Sequence, residues 1–321
     1  MELIKGALWS SKNSKIQTLA IAAGIIVLAV LPLFIQPSFV LAWILAYSIM
    51  ALMWTFFSGK TGYISLASAA FMGIGMYLQA LLGHSVPLPL TMILSAVVAF
   101  AAAFGIGIIT LRLRGVYFTI FTFGLALFLQ KIIRWYEVTY TFTKGRMVKA
   151  YDNDIIFYAL IIILAAVLIS VIVMNKSRFG LALDCIGQNE DSAQHVGVNT
   201  TMTKVLAFAI SAAPVGAVGA VMSTTLGYVD PDIAFRLLAS FFPVLMAIFG
   251  GMRYTYGPIV GAVIFYTLEH MLRLRTDHYI IIFGIVMIVV ILVIPKGLFG
   301  LLDAIMAKRR RNFDGEVIGD V

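Results

Sequence analysis

Apolar residues in this chain gather into runs about as long as a bilayer is thick, and basic residues punctuate the gaps between them. A helix needs about 20 largely apolar residues to cross a hydrocarbon core of about 30 Å. Runs of that kind predict spans at Ile16 to Gln36, Phe39 to Phe57, Ile64 to Gly83, Leu88 to Leu111, Val116 to Arg134, Ile155 to Met174, Thr203 to Leu226, Ala234 to Gly251, Gly257 to Leu274 and Tyr279 to Ile294. The pattern predicts an all-α polytopic membrane protein of about ten transmembrane helices. It divides the chain into an N-terminal segment 1–15, a membrane domain 16–294 with a long polar loop at 175–202, and a C-terminal tail 295–321.

Composition strengthens this picture. Apolar residues are 61% of 321 positions and charged ones 12%, against about half and about a quarter in soluble domains, so much of the surface must meet lipid. The net charge of +8 is not a nucleic-acid signature, because the basic residues form no single patch with interleaved aromatics. Lys and Arg resist translocation and mark cytoplasmic loops. An N-in, C-in arrangement puts fifteen of the 23 basic residues inside, among them Lys60, Arg112, Arg114, Lys176, Arg178, Lys204 and Lys308 to Arg311, and leaves eight outside. The basic N-terminus, Met1 to Lys15, lacks a small-residue cleavage site after the apolar run and reads as a lead into the first span. Cys185 stands alone, so no internal disulfide forms.

The chemistry-bearing motifs are few. Ser58-Gly59-Lys60-Thr61 contains the GKT of a phosphate loop, but Trp54 stands where the first glycine belongs and no strand precedes it. His84, His195, His270 and His278 are scattered, with neither metal-ligand spacing nor a nucleophile elbow. The chain is expected to be no enzyme, to hold no metal and to bind no cofactor of its own. Acids are nearly missing from the spans, where they cost about 2.5–3.5 kcal/mol each. Glu269, beside His270 and four residues before Arg273, is the exception, and its readings are structural pairing or a place near a solute pathway. The scarcity of such acids points to an energy source other than a proton gradient.

Small residues four apart, Ala101 with Gly105, Ala209 with Ala213, and Ala212, Gly216 and Ala220, are expected at helix contacts. The Gly-rich junctions Ser58 to Ser65 and Gly250 to Gly257 can each hold a short interfacial or re-entrant element, and Phe57-Ser58-Gly59 and Phe249-Gly250-Gly251 look alike, as the two halves of an internal repeat would. Within the polar loop, residues Glu190 to Val196 predict a short helix with Asn189 as N-cap, acids in its first turn and Gly197 beyond its end. Such a helix suits docking into a groove of a soluble partner, with an ordinary solvated loop as the alternative.

The loop from Arg178-Phe179-Gly180-Leu181 through Asn189-Glu190-Asp191-Ser192-Ala193-Gln194-His195-Val196-Gly197-Val198-Asn199 resembles the coupling segment of LivM-type permeases of bacterial branched-chain amino acid ABC importers. Gly59-Lys60-Thr61-Gly62-Tyr63-Ile64-Ser65-Leu66-Ala67, Leu113-Arg114-Gly115-Val116-Tyr117-Phe118, Tyr256-Gly257-Pro258 and Pro295-Lys296-Gly297-Leu298-Phe299-Gly300 follow the same family pattern in order. Departures fall at Ala67 and Met76, where the family often has Gly, at Leu127 or Phe128, where an acid is expected, and at Pro214, where a bulkier residue is.

The resemblance implies a permease paired with a second homologous permease, as hetero- or homodimer. Two cytoplasmic ABC ATPases would hold ATP and Mg, and an extracytoplasmic solute-binding protein would deliver cargo, in the bacterial cytoplasmic (inner) membrane. It implies that Asn189, Glu190, Asp191, Ala193, Gly197 and Asn199 form the element seated on an ATPase. Gly73, Gly75, Tyr77, Gly216, Gly219 and Glu269 are the candidates for a Gly-rich path. Lys144, Arg146, Lys149 and Arg236 are candidates for meeting acidic patches of a binding protein, with a plain topology loop as the alternative. The cargo stays open among branched-chain and other amino acids, urea and short amides, and a stand-alone secondary transporter or channel is the alternative class.

Overall fold

The computed structural model describes residues 38–113, 115–252 and 254–275, together with 278, 281, 282, 284, 285, 288 and 297–300. The span expected at Ile16 to Gln36, and most of that at Tyr279 to Ile294, lie outside the described residues. Helix α1 is Phe39–Trp54, continued by a π-helical turn at Thr55–Gly59. It is followed by α2 (Ser68–Leu82), α3 (Leu88–Thr110) and α4 (Val116–Tyr136), the last extended by a π-helical turn at Glu137–Thr141. Next come β1 (Arg146–Met147), α5 (Asn153–Asn175), α6 (Arg178–Gln188), α7 (Glu190–His195) and α8 (Thr200–Leu226). The described elements end with β2 (Tyr228–Val229), α9 (Pro231–Ala234), α10 (Leu238–Gly250) and α11 (Gly257–Arg273).

Among the described residues, six helical stretches are long and apolar enough to cross a membrane: Phe39–Gly59, Leu88–Thr110, Val116–Thr141, Asn153–Asn175, Thr200–Leu226 and Pro231–Gly250. The fold is that of an all-α polytopic membrane protein, with one two-residue antiparallel ladder pairing Arg146 with Val229 and Met147 with Tyr228. Helices close their backbone hydrogen bonds internally, which is what a segment in hydrocarbon requires. Burial of 78% for α8 and 67% for α1, against 22% for α3 and α4, puts the first pair at the centre of the bundle and the second pair at its rim.

Small residues set the central crossings. A methyl group added at Gly75 would run into the carbonyl oxygen of Gly216, one at Gly219 into that of Met72, and one at Gly216 into Ala99 and the Ser95 carbonyl. In lipid, such backbone approach is the main packing force. On α3 the buried stripe is Thr91, Ser95, Ala99, Ala103 and Gly107, and not the expected Ala101 and Gly105. Gly105 has open space around its α-carbon. Two small-residue stripes run along this helix, and the one that also carries the Thr91 and Ser95 hydroxyls turns inward. The expected stripe Ala212, Gly216 and Ala220 is buried on α8.

Two spans depart from the expected continuous helices. The one expected from Ile64 is helical only from Ser68, because Gly62 (φ 75°) turns the chain out of helix and residues 62–67 run on without regular structure. The span expected over Ala234 to Gly251 is broken at residues 235–237, between α9 and α10. The polar loop contains α6 as well as α7, started by the Ser177 side chain accepting from the Gly180 N–H. The fifth span reaches Thr141 through its π-helical turn and so takes in Glu137, an acid outside the expected boundary. The two Gly-rich junctions also differ, since residues 55–59 are π-helical whereas Gly250 closes a regular α-helix and Gly251 has φ 103°.

Tyr63, Ser65 and Ala67 of the non-helical stretch are buried, and side chains satisfy its backbone. Ser58 Oγ accepts from the Ser65 N–H at 3.2 Å, Thr122 Oγ1 from Leu66 N–H at 3.0 Å, and Ser65 Oγ from Ala67 N–H at 3.3 Å. Ser240 Oγ of α10 accepts from Ala69 N–H at 3.1 Å, capping the first turn of α2 from another helix. Trp54 Nε1 donates to the Ser65 carbonyl at 2.8 Å, and Thr119 Oγ1 to that of Ile64 at 2.9 Å. Irregular backbone at membrane depth persists only when protein satisfies it in this way. Thr122→Val, which strands the Leu66 N–H, is expected to destabilise the protein by about 1–3 kcal/mol. Thermal unfolding in detergent should show the loss, and Thr122→Ser should largely avoid it.

Candidate functional site

The helix ends sort the described basic residues into two groups. Lys60, Arg112, Lys176, Arg178 and Lys204 lie at the end carrying α6 and α7, and Lys144, Arg146, Lys149 and Arg273 at the opposite end. At the first end, α6 and α7 form a small polar unit. Asn189 Oδ1 accepts from the Ser192 N–H at 2.9 Å, and Asn199 Oδ1 from the Met202 N–H at 3.0 Å, so α7 and α8 each start on an asparagine cap. Gly197 (φ 88°) ends α7 in the left-handed region, where a side chain is strained. Ala193 is buried, while Asp191, Gln194 and His195 are exposed. Val196 at 77% and Leu181 at 65% exposure add apolar surface to this unit.

The unit is bolted to the bundle. Glu190 points inward: its Oε1 lies 2.5 Å from Lys204 Nζ and its Oε2 accepts from the Tyr63 hydroxyl at 2.6 Å. Lys204, 2% exposed at the start of α8, also donates to the Tyr63 oxygen at 3.0 Å and to the Leu111 carbonyl at 3.5 Å. A second pair, Lys60 with Asp184 at 3.0 Å, ties α6 to the end of the α1 turn. A methyl at Gly187 would meet the Lys60 carbonyl oxygen. Tyr63 lies in the non-helical stretch whose backbone is hydrogen-bonded to side chains of α1, its π-helical turn and α4. Glu190 of α7 thus touches the residue that leads into the non-helical stretch.

At the opposite end, Glu137 is 1% exposed. It accepts from the Gly145 N–H at 3.0 Å and from the Tyr77 hydroxyl at 3.4 Å, with Arg146 Nε 3.6 Å from its other oxygen. Asp232 gathers Gln130 at 2.9 Å, Lys144 at 3.9 Å and the closely paired Arg134. Of the four basic residues expected on a docking surface, Lys144 and Lys149 are exposed, Arg146 turns toward Glu137, and Arg236 stands in the break between α9 and α10. Arg236 lines a cavity of about 190 Å³ together with Trp43, Tyr47, Phe242, Tyr266 and Glu269. Glu269 is 5% exposed and lies 4.0 Å from Arg273, so the pairing expected four residues apart is present but loose.

The structure thus brings Glu269 and Arg236 together, though their sequence readings were separate. Gly75, Gly216 and Gly219 sit in backbone crossings, Gly73 lies against the Phe235 ring, and Tyr77 stacks on that ring at 5.9 Å. None of these five residues lines that cavity. Sequence reasoning missed Tyr63, Lys204 and Glu137. A lysine at the first turn of an apolar helix was the available signal for Lys204, and it was read only as a topology mark.

Residues 36–294 match the family described as "Branched-chain amino acid transport system / permease component". The chain is similar to the high-affinity branched-chain amino acid transport system permease protein LivM of Salmonella typhimurium, at 26% identity over 274 residues, covering 75% of this chain and 64% of the relative. The Escherichia coli LivM protein is 25% identical over the same shares. The permease protein LivH of Salmonella typhimurium is 28% identical over 142 residues, 44% of this chain and 46% of that protein. The chain thus spans about 64% of the length of the LivM relatives. No solved structure gives a significant match.

Proposed function

Because this chain belongs to the family of branched-chain amino acid transport system permease components, as a LivM-type member, we propose that it is the membrane-spanning subunit of an ABC importer that passes branched-chain or related amino acids. The observation that carries this reading is the bolted α6–α7 unit. It offers a capped helix with exposed Leu181, Asp191, Gln194 and Val196 outward, and a fixed hydrogen-bonded link from Glu190 to the bundle inward. An element that faces a soluble partner and is rigidly joined to the membrane core can convert the partner's movement into movement of the helices. Asn189, Ala193, Gly197 and Asn199 shape that element, and Glu190 acts as its link to the core.

In this reading the chain forms about ten spans with both termini inside, organised as 1–15, 16–294 with the coupling loop 175–202, and 295–321. The end bearing α6 and α7 faces the cytoplasm of a bacterium, in its inner membrane. The partners are a second homologous permease, two ATPases that bind ATP and Mg in place of any cofactor on this chain, and an external solute-binding protein approached by Lys144 and Lys149. The similarity to both LivM and LivH supports a homologous pair. Movement would be alternating access, with the partner's hydrolysis rocking the bundle.

Val196→Asp alters only exposed surface. In vesicles containing the chain, its ATPase and permease partners and a binding protein, this variant is expected to lower ATP-driven uptake at least tenfold with normal membrane content. Uptake at the wild-type rate would remove α7 from the coupling role. Uptake by the chain alone under an ion gradient would favour a secondary transporter.

A further inference from the structure

The cavity beside the broken span has a chemistry that the permease reading does not assign. Three observations define it. Arg236 stands in the non-helical break and, among the described residues, has no ion-pair or hydrogen-bond partner. The N-terminus of α10 opens beside it without a side-chain cap, and Leu238 and Ala239 line the same cavity. A carboxylate placed there would meet both a guanidinium and the positive end of a helix.

Glu269 supplies the opposite charge from α11. Its carboxylate is 5% exposed and accepts no hydrogen bond among the described residues, and its ion-pair partner Arg273 stands at 4.0 Å with its own side chain 39% exposed. A buried carboxylate with so loose a partner is costly unless a donor arrives. The rest of the lining is largely apolar and includes Trp43, Phe242 and Met76. At about 190 Å³ the space falls below the ~300–1,000 Å³ of drug-sized ligand sites, which suits a small solute. Phe39 at the start of α1 and Arg273 at the end of α11 place it toward the end of the bundle opposite α7.

We infer that this cavity is a solute station for zwitterions within the permease itself: the solute carboxylate sits on Arg236 and the start of α10, its ammonium on Glu269, and its apolar tail against Trp43, Phe242 and Met76. The inference rests on the permease reading and adds a stopping place between the binding protein and the far side. Arg236 is then a residue of solute recognition, and not of protein docking.

The test uses the full transporter in nanodiscs without its binding protein, with L-leucine, 4-methylpentanoate and 3-methylbutylamine as probes. Leucine is expected to bind with both charges engaged, and each single-charge probe at least tenfold more weakly. Arg236→Gln is expected to weaken leucine binding at least tenfold and leave 3-methylbutylamine unaffected, whereas Glu269→Gln does the reverse for the two single-charge probes. Arg236 lies in an exposed break, so its variant is expected to fold, with Arg236→Lys retaining partial binding as a check on charge. Leucine binding or uptake at wild-type levels in both Gln variants would overturn the station. Failure of the wild-type complex to take up leucine with ATP and binding protein present would instead overturn the permease reading.

Discussion

Lys204→Met is expected to destabilise the protein by about 3–5 kcal/mol, the cost of leaving one charge of a buried pair behind. Lys204 is 2% exposed, and its loss takes the ammonium away from Glu190 Oε1 while the Tyr63 hydroxyl stays on Oε2. Replacing both members, as Lys204→Met with Glu190→Leu, is expected to recover most of that loss, because well-packed apolar groups often match a buried ion pair in stability. The recovered double variant separates holding from signalling. It should melt near the wild type yet fail in ATP-driven uptake, because α7 no longer pulls on Tyr63. A melting curve for the three variants and an uptake assay on the double variant decide the matter. Full transport by the double variant would show that the link is structural only.

Gly216→Leu is expected to have an effect of similar size by a different route. The glycine lies where the Gly75 α-carbon meets its own carbonyl, and a side chain there would run into Ala99 and the Ser95 carbonyl of α3. Overpacking a tight contact typically costs about 1–3 kcal/mol, and here the added atoms meet backbone of α3, which puts the effect at the upper end. The expected readout is low accumulation in membranes and early unfolding in detergent. Gly105→Leu, on the open face of α3, should be tolerated. The comparison tests whether small residues act by position or merely by number.

That contrast also marks what could be read from the chain alone. The start and end of α7 were legible because capping is local: Asn189, the acids that follow it and Gly197 lie within nine residues. The membrane class was legible because it depends on composition. The unwound stretch at 62–67 was legible only as a Gly-rich junction over 58–65 able to hold a short re-entrant element, since Ile64, Leu66 and Ala67 are as apolar as any helix residue, and what holds them out of helix are hydroxyls from Thr119, Thr122 and Ser58. The choice between Ala99 and Ala101 on α3 was equally hidden, because both stripes are small and only the neighbouring helix decides between them. The pairing of Glu190 with Tyr63 joins residues 127 positions apart, and the placing of Arg236 and Glu269 around one cavity brings two spans together. Such partners are chosen by packing, and spacing along the chain carries no trace of them. Glu137 escaped because a π-helical turn lengthened its helix beyond the apolar run.

The Ser240 hydroxyl that caps Ala69 has a consequence for how the chain is made. The two residues are separated by 171 positions, and at about 5–20 residues per second of synthesis the ribosome needs roughly 10–35 s to pass from one to the other. During that interval α2, only 15 residues long, stands in or beside the bilayer with the Ala69 amide unsatisfied. The first turn of this short helix therefore waits for a cap supplied late in synthesis. A ribosome stalled before residue 240 would leave the Ala69 amide without that cap, and deuterium exchange at this amide should be faster than in the full chain.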